Sequence, residues 1–183
     1  DLNNIYRNFS IAFDVALALD KPDKVKDYLD KFDAKKPMKE LCYEWGAYYN
    51  EIGEIDTSKM ILLRCLQRDV NEPRVNLELA KIYNRRLSGV DSAIYYADQF
   101  IGKSSDPIPG YVLKAEILDR SKKYTEAIKM YDMALEIDST YVPAQKGLKN
   151  LQGKVAYLRL IKRKENVQRE TEELKPLGSK EIN

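Results

Sequence analysis

A period is the strongest constraint on what this chain can fold into. Small or apolar residues recur at positions 25, 58, 93 and 127, as Val25, Ser58, Ala93 and Ala127, with separations of 33, 35 and 34 residues. The register carries through each unit. Four residues on stand Leu29, Leu62, Ala97 and Tyr131, and seven on stand Phe32, Cys65, Phe100 and Ala134. Such steps trace one face of a helix, so the same face is written again in every unit. Between these lies a second series, in which Trp45, Gly46 and Tyr49 align with Leu79, Ala80 and Tyr83, and then with Lys114, Ala115 and Leu118. A chain written this way predicts helix pairs stacked on their neighbours, because no single pair can bury its own apolar face.

The breaks agree with that reading. Pro22, Pro37, Pro73, Pro107, Pro109, Pro143 and Pro176 fall where such helices would start or stop, since proline lacks the donor that a helix interior needs. No stretch alternates apolar and polar residues long enough to suggest a sheet, so the predicted class is all-α. Where two helices cross closely only small residues admit the neighbour. Gly46, Ala80, Ala93, Ala115, Ala127 and Ala134 supply that surface, while Trp45, Tyr49, Tyr83 and Tyr131 fill the adjacent grooves.

Charge and composition exclude several functions. Lys and Arg number 31 against 29 for Asp and Glu, a net charge of +2, which argues against nucleic acid as a partner because phosphate recognition needs a clustered basic excess. With no histidine and two cysteines, the common zinc arrangements and every His-dependent triad are closed off. The sequence predicts no catalytic residue, no cofactor and no metal, and therefore not an enzyme. No apolar run of about 18 residues would span a membrane. A soluble, cytoplasmic chain is the expectation, with a periplasmic or membrane-tethered form left open because the sequence begins at Asp1 rather than Met.

Tyr111, Ala115, Leu118, Tyr124, Ala127, Tyr131 and Ala134 resemble the tetratricopeptide repeat, a helix-turn-helix unit with a W-x2-L-G-x2-Y first helix and an A-x3-F-x2-A second helix. The unit around Trp45 shifts Trp to the Leu position and carries Ser58 and Cys65 where Ala is usual. The next has one extra residue in the turn RRLSGVDSA, and the first unit is the most divergent. The resemblance implies a right-handed superhelical solenoid of about four units, at 5–37, 38–72, 73–107 and 108–141 within an array over 1–141. A C-terminal capping and extended helix at 142–175 and a disordered tail at 176–183 follow.

The resemblance also implies a concave groove lined by the first helices. Carried over position by position, it selects Tyr43, Asn50 and Glu51, then Leu77, Lys81, Asn84 and Arg85, then Glu116, Asp119 and Arg120. The groove is mixed in charge and suits a protein or peptide segment carrying both signs. Lys81, Asn84 and Arg85 are the favoured cluster, as adjacent donors able to hold a carboxylate or backbone carbonyls. The two-carboxylate clamp by which some members of the family hold chaperone tails is not intact: Lys146 and Asn150 have its first spacing but no two units follow them, and Tyr43 with Ala47, then Leu77 with Lys81, stand at the corresponding places in the middle units. The implied function is a non-catalytic interaction scaffold or adaptor.

Two further expectations concern particular elements. Cys42 and Cys65 read first as small buried hydrophobes, with a disulfide within one unit as the alternative. Leu148, Leu151, Val155 and Leu158 form an apolar stripe able to cover the open end of the last unit, beyond which the helix is charged all round. Self-association through Leu158, Ile161 and their neighbours is the alternative use of that helix. It would make the chain a structural or assembly factor, for example of a bacterial envelope, secretion, pilus or flagellar system.

Overall fold

The structure, a computed structural model, describes residues 42–67, 72–85 and 87–173, with Lys24, Lys26 and Asp27. The expectations for Val25, Leu29 and Phe32 of the first unit and for the tail at 176–183 lie outside these residues. Among the described residues the secondary structure is entirely helical: α1 (Cys42–Glu51), α2 (Ile55–Gln67), α3 (Pro73–Asn84), a 3-10 turn (Leu87–Gly89), α4 (Val90–Lys103), α5 (Ile108–Arg120), α6 (Tyr124–Ile137) and α7 (Val142–Glu173).

Local sequence explains the boundaries. Pro73 opens α3, where the Glu72 carboxylate accepts from the Arg74 backbone N–H at 3.1 Å. Pro107 stands at the N-cap of α5 and Pro109 in its first turn, and Pro143 is the second residue of α7. At all these places the backbone donor would have no intrahelical acceptor, so proline costs nothing. Gly53 turns the chain between α1 and α2 with φ +85°, a left-handed conformation open to glycine. Lys122 occupies the corresponding turn between α5 and α6 with φ 61°. The extra residue of RRLSGVDSA is absorbed by the 3-10 turn. There a Cβ on Gly89 would lie 2.4 Å from the Tyr83 carbonyl oxygen, so the close approach requires glycine.

The pairs α1/α2, α3/α4 and α5/α6 pack within themselves, and each second helix also packs on the first helix of the next pair: α2 on α3, α4 on α5, α6 on α7. Successive first helices touch one another too, whereas no second helix has a Cα within 8 Å of the next second helix. Helices that crowd on one side and separate on the other make a curved stack, with α1, α3 and α5 on its inner face.

The core follows the period. Ser58, Ala93 and Ala127 are fully buried, as are Leu62, Ala97 and Ala134. At the α1–α2 crossing the Ser58 hydroxyl donates to the Gly46 carbonyl at 2.6 Å, and a Cβ on Gly46 would meet Leu62 Cδ2 at 2.4 Å. Each apolar cluster spans a unit boundary. One joins Cys42, Leu62 and Cys65 to Val75, Leu79 and Ile82, and the next joins Ala80, Ala93 and Ala97 to Leu113 and Ile117. The last joins Leu118, Ala127 and Tyr131 to Ala144 and Leu151. Each of the three described units therefore buries its apolar face with the helix that follows it.

Two expectations need correction. Cys42 and Cys65 are not separate thiols but a disulfide, with Cα atoms 5.9 Å apart, because the turn at Gly53 brings the start of α1 beside the end of α2. Both are buried. In α7, Leu151 is buried and Leu148 and Val155 pack against the last cluster, but Leu158 is 40% exposed. It lies two turns beyond Leu151, about 10 Å of helix rise, past the surface that α5 and α6 offer.

Candidate functional site

On the inner face the first helices of three consecutive units enclose a cavity of about 520 Å³. Tyr43, Ala47, Asn50 and Glu51 line it from α1; Glu78, Lys81 and Asn84 from α3, with Arg85 just after; and Leu113 and Glu116 from α5. One side chain per helical turn reaches the space, as a single face of each helix must. Tyr43 is backed by Arg74, whose guanidinium carbon stands 4.1 Å from its ring centroid, a cation–π contact that fixes the phenol at the rim.

A polar network forms the floor. The Asn50 amide donates to Glu78 Oε2 at 2.9 Å and its oxygen accepts from Arg85 at 3.0 Å. Lys81 donates to Glu78 Oε1 at 2.5 Å. Asn50 and Glu78 are 6% exposed; such burial is tolerable for a carboxylate because both of its oxygens are bonded. Arg120 donates to the Asn84 side-chain oxygen at 3.0 Å and also to the Asn84 carbonyl, so α5 is tied to the end of α3 as α3 is tied to α1.

The cavity continues toward α7. Glu116, Asp119, Tyr131, Gly147, Asn150 and Lys154 are among the residues lining a second space of about 350 Å³. Lys154 donates to Asp119 at 2.5 Å, which holds its ammonium pKa above the usual lysine value. Burial, with Glu116 and Asp119 nearby, pushes the Tyr131 phenol up to about 12. A Cβ on Gly147 would strike the Tyr131 ring at 2.4 Å, so glycine is needed for α7 to close this end. Burial also raises the Glu116 carboxyl above its ordinary value, opposed by the charge of Lys81.

Of the ten residues selected from the sequence, Tyr43, Asn50, Glu51, Lys81, Asn84, Arg85 and Glu116 meet in the first cavity. Asp119 lies in its continuation, and Arg120 braces Asn84 beside it. Leu77 packs instead against the cluster of Ala80, Ala93 and Leu113; its apolar chain is better satisfied there than in a polar cavity. Ala47, Glu78 and Leu113 were not selected. Ala47 follows Gly46 as Lys81 follows Ala80 and Glu116 follows Ala115, so the alignment already held the signal for it. Glu78 and Leu113 sit one place beyond the implied positions, and no sequence pattern separates them from solvated or core residues.

Among the described residues no group of three or more His, Cys, Asp or Glu could hold a metal ion, and no helix is long and apolar enough to cross a membrane. Comparison with known proteins returned no matching family model and no matching curated protein. Solved structures do match. The first tetratricopeptide domain of Spaghetti (RPAP3), bound to the HSP90 peptide SRMEEVD, is 19% identical with a TM-score of 0.58, over 64% of this chain and 93% of that one. The first such domain of human RPAP3 is 20% identical, with a TM-score of 0.59 over 66% and 94%. A double mutant of MamA is 12% identical, with a TM-score of 0.60 over 81% and 83%. The fold is therefore a tetratricopeptide-type helical repeat.

Proposed function

We propose that this chain is a non-catalytic interaction scaffold that holds a peptide or protein segment against the inner face of its helical array. The observation that carries the reading is the cavity lined jointly by α1, α3 and α5. It is open, built from three units, and braced by hydrogen bonds that cross from unit to unit. A preformed surface of this kind loses little freedom on binding. The solved structure that holds a peptide on a similar fold supports it by analogy of fold alone.

The test uses the intact chain and a variant with Lys81, Asn84 and Arg85 replaced by Ala, folding of both checked by circular dichroism. A random dodecapeptide library displayed on phage is selected on each. The scaffold reading expects sequence families recovered by the intact chain and lost by the variant. Equal recovery by both, or recovery by neither, removes the groove as the binding site.

A second reading has one observation in its favour. Tyr157, Leu160 and Val167 stand 64%, 59% and 52% exposed on the face of α7 opposite Leu151 and Val155. This part of the helix is basic from Lys154 to Lys164 and mainly acidic from Glu165 to Glu173. Two copies laid antiparallel would cover the apolar stripe and oppose the charges. Light scattering of the full chain against one ending at Tyr157 tests it: a dimer that becomes a monomer supports pairing, and equal masses refute it.

A further inference from the structure

Among the described residues the cations of the groove all have hydrogen-bond partners, and two of its carboxylates have none. Lys81 is bound to Glu78, Arg85 to Asn50, Arg120 to Asn84, and at the far end Lys154 to Asp119. Glu51 and Glu116 line the same cavity, and neither has an ion pair or hydrogen bond with another described residue. They stand on α1 and α5, on either side of the committed network of α3. From the geometry we infer that the groove selects a cationic segment, one whose Lys or Arg side chains reach Glu116 and Glu51, rather than an acidic or carboxylate-terminated tail. This inference rests on the scaffold reading above and names the chemistry of its ligand.

The alternative would crowd like charges. A ligand carboxylate taking Lys81 would share its ammonium with the buried Glu78 carboxylate and stand close to Glu116, which lines the same cavity. Carboxylates gathered around one ammonium repel one another. A ligand ammonium or guanidinium at Glu116 breaks no hydrogen bond or ion pair among the described residues. It also relieves the local imbalance, since burial holds this carboxyl above its usual pKa and a second positive charge beside it favours the ionised form.

The sequence pointed to a segment carrying both signs, with Lys81, Asn84 and Arg85 as adjacent donors on one helical face. The partners that Lys81 finds in Glu78 and Arg85 in Asn50 are what shift the balance toward Glu51 and Glu116.

The peptides recovered by the intact chain from the dodecapeptide library decide the matter. They are sequenced, and the most enriched is synthesised and titrated by fluorescence anisotropy beside the peptide SRMEEVD. The proposal expects Lys and Arg enriched over the starting library, affinity lowered about tenfold by Glu116→Gln, and SRMEEVD bound at least tenfold more weakly than the selected peptide. Among the described residues Glu116 has no hydrogen bond or ion pair, so Glu116→Gln removes its charge without breaking a contact of the fold, as circular dichroism of the variant should confirm. Enrichment of Asp and Glu in peptides lost by Lys81→Ala would overturn the charge assignment while leaving the groove in place. Peptides indifferent both to Glu116→Gln and to the Lys81, Asn84 and Arg85 substitutions would remove the groove and this inference together.

Discussion

Arg85 and Asn50 are 35 residues apart in sequence, yet the guanidinium donates to the amide oxygen at 3.0 Å. The same amide passes the contact to Glu78 through its nitrogen, so α1 and α3 are held in register by a polar bridge under the cavity. The two partners should differ in cost. Asn50→Ala removes a buried donor from a buried carboxylate, and about 1–3 kcal/mol of stability should go with it. Arg85→Ala removes an exposed group that water replaces, costing less than about 1 kcal/mol. Urea unfolding of the two variants measures both, and equal losses would contradict the bridge.

Gly46→Ala sets two effects against each other. Alanine gains up to about 1 kcal/mol in a helix interior, but the new Cβ would meet Leu62 Cδ2 and Cγ at 2.4 and 2.5 Å. Leu62 has no exposure, and Cγ is not a free end that can swing aside. The clash should win, with a net loss of about 1–2 kcal/mol. Shortening the obstacle with Leu62→Val in the same chain should recover part of the midpoint. A Gly46→Ala variant as stable as the parent would show that α1 and α2 can separate at no cost.

How much was legible follows from what a period can encode. Ala93, Ala127 and Gly46 were readable because steric demands at a helix crossing admit few residue types, and those demands recur with the unit. The groove positions were largely readable for the same reason, once one face of each first helix was in register. Polarity was not. Whether Lys81 is available or consumed depends on Glu78 three residues away and on Asn50 in another unit, and no composition rule reports which pair forms. The disulfide was likewise undecided by spacing. It needed the distance between the start of α1 and the end of α2, which the turn at Gly53 sets.

The bond between Cys42 and Cys65 closes a loop with a sequence separation of 23. Restricting the unfolded chain over that length is worth about 3 kcal/mol in the chain-entropy account. Both sulfurs sit in the cluster that joins α1 and α2 to α3, so reduction should loosen the array at this unit first. The expected result is a lower thermal midpoint in dithiothreitol, together with lost amide protection in α1 and α2 before α5 and α6. A Cys42→Ala, Cys65→Ala chain that melts with the oxidised parent would rule this out.

Lys122 holds a left-handed backbone, φ 61°, where the corresponding turn carries Gly53. Its N–H still donates to the Asp119 carbonyl at 2.9 Å, so the turn itself is well formed and only the side chain is at odds with it. A non-glycine residue in this region costs about 1–2 kcal/mol, part of which glycine returns through greater freedom in the unfolded state. Lys122→Gly should therefore stabilise by about 0.5–1 kcal/mol, whereas Lys122→Ala should not. Thermal melts of the pair separate backbone strain from loss of an exposed charge.

The far end of the array depends on the first half of α7. Ala144 and Leu151 are buried against Leu118, Tyr131 and Ala134, with Leu148 and Val155 beside them, while residues 162–170 are exposed throughout. A chain ending at Tyr157 keeps every cap contact and should melt close to the full chain. One ending at Asp138 strips the cover from the last cluster, and α6 then has no neighbour on that side, a loss that an isolated pair of helices cannot make good. Leu151→Ala samples the same surface at one position and should cost about 2–4 kcal/mol. Hydrogen exchange gives the sharpest reading. Amides near residues 146–155 should be protected with the core of α5 and α6, and those of 162–170 should exchange at the rate of a lone helix, which in water is marginal at this length. Equal protection along all of α7 in a monomeric sample would mean that its outer half is supported by contacts other than those that seat the cap.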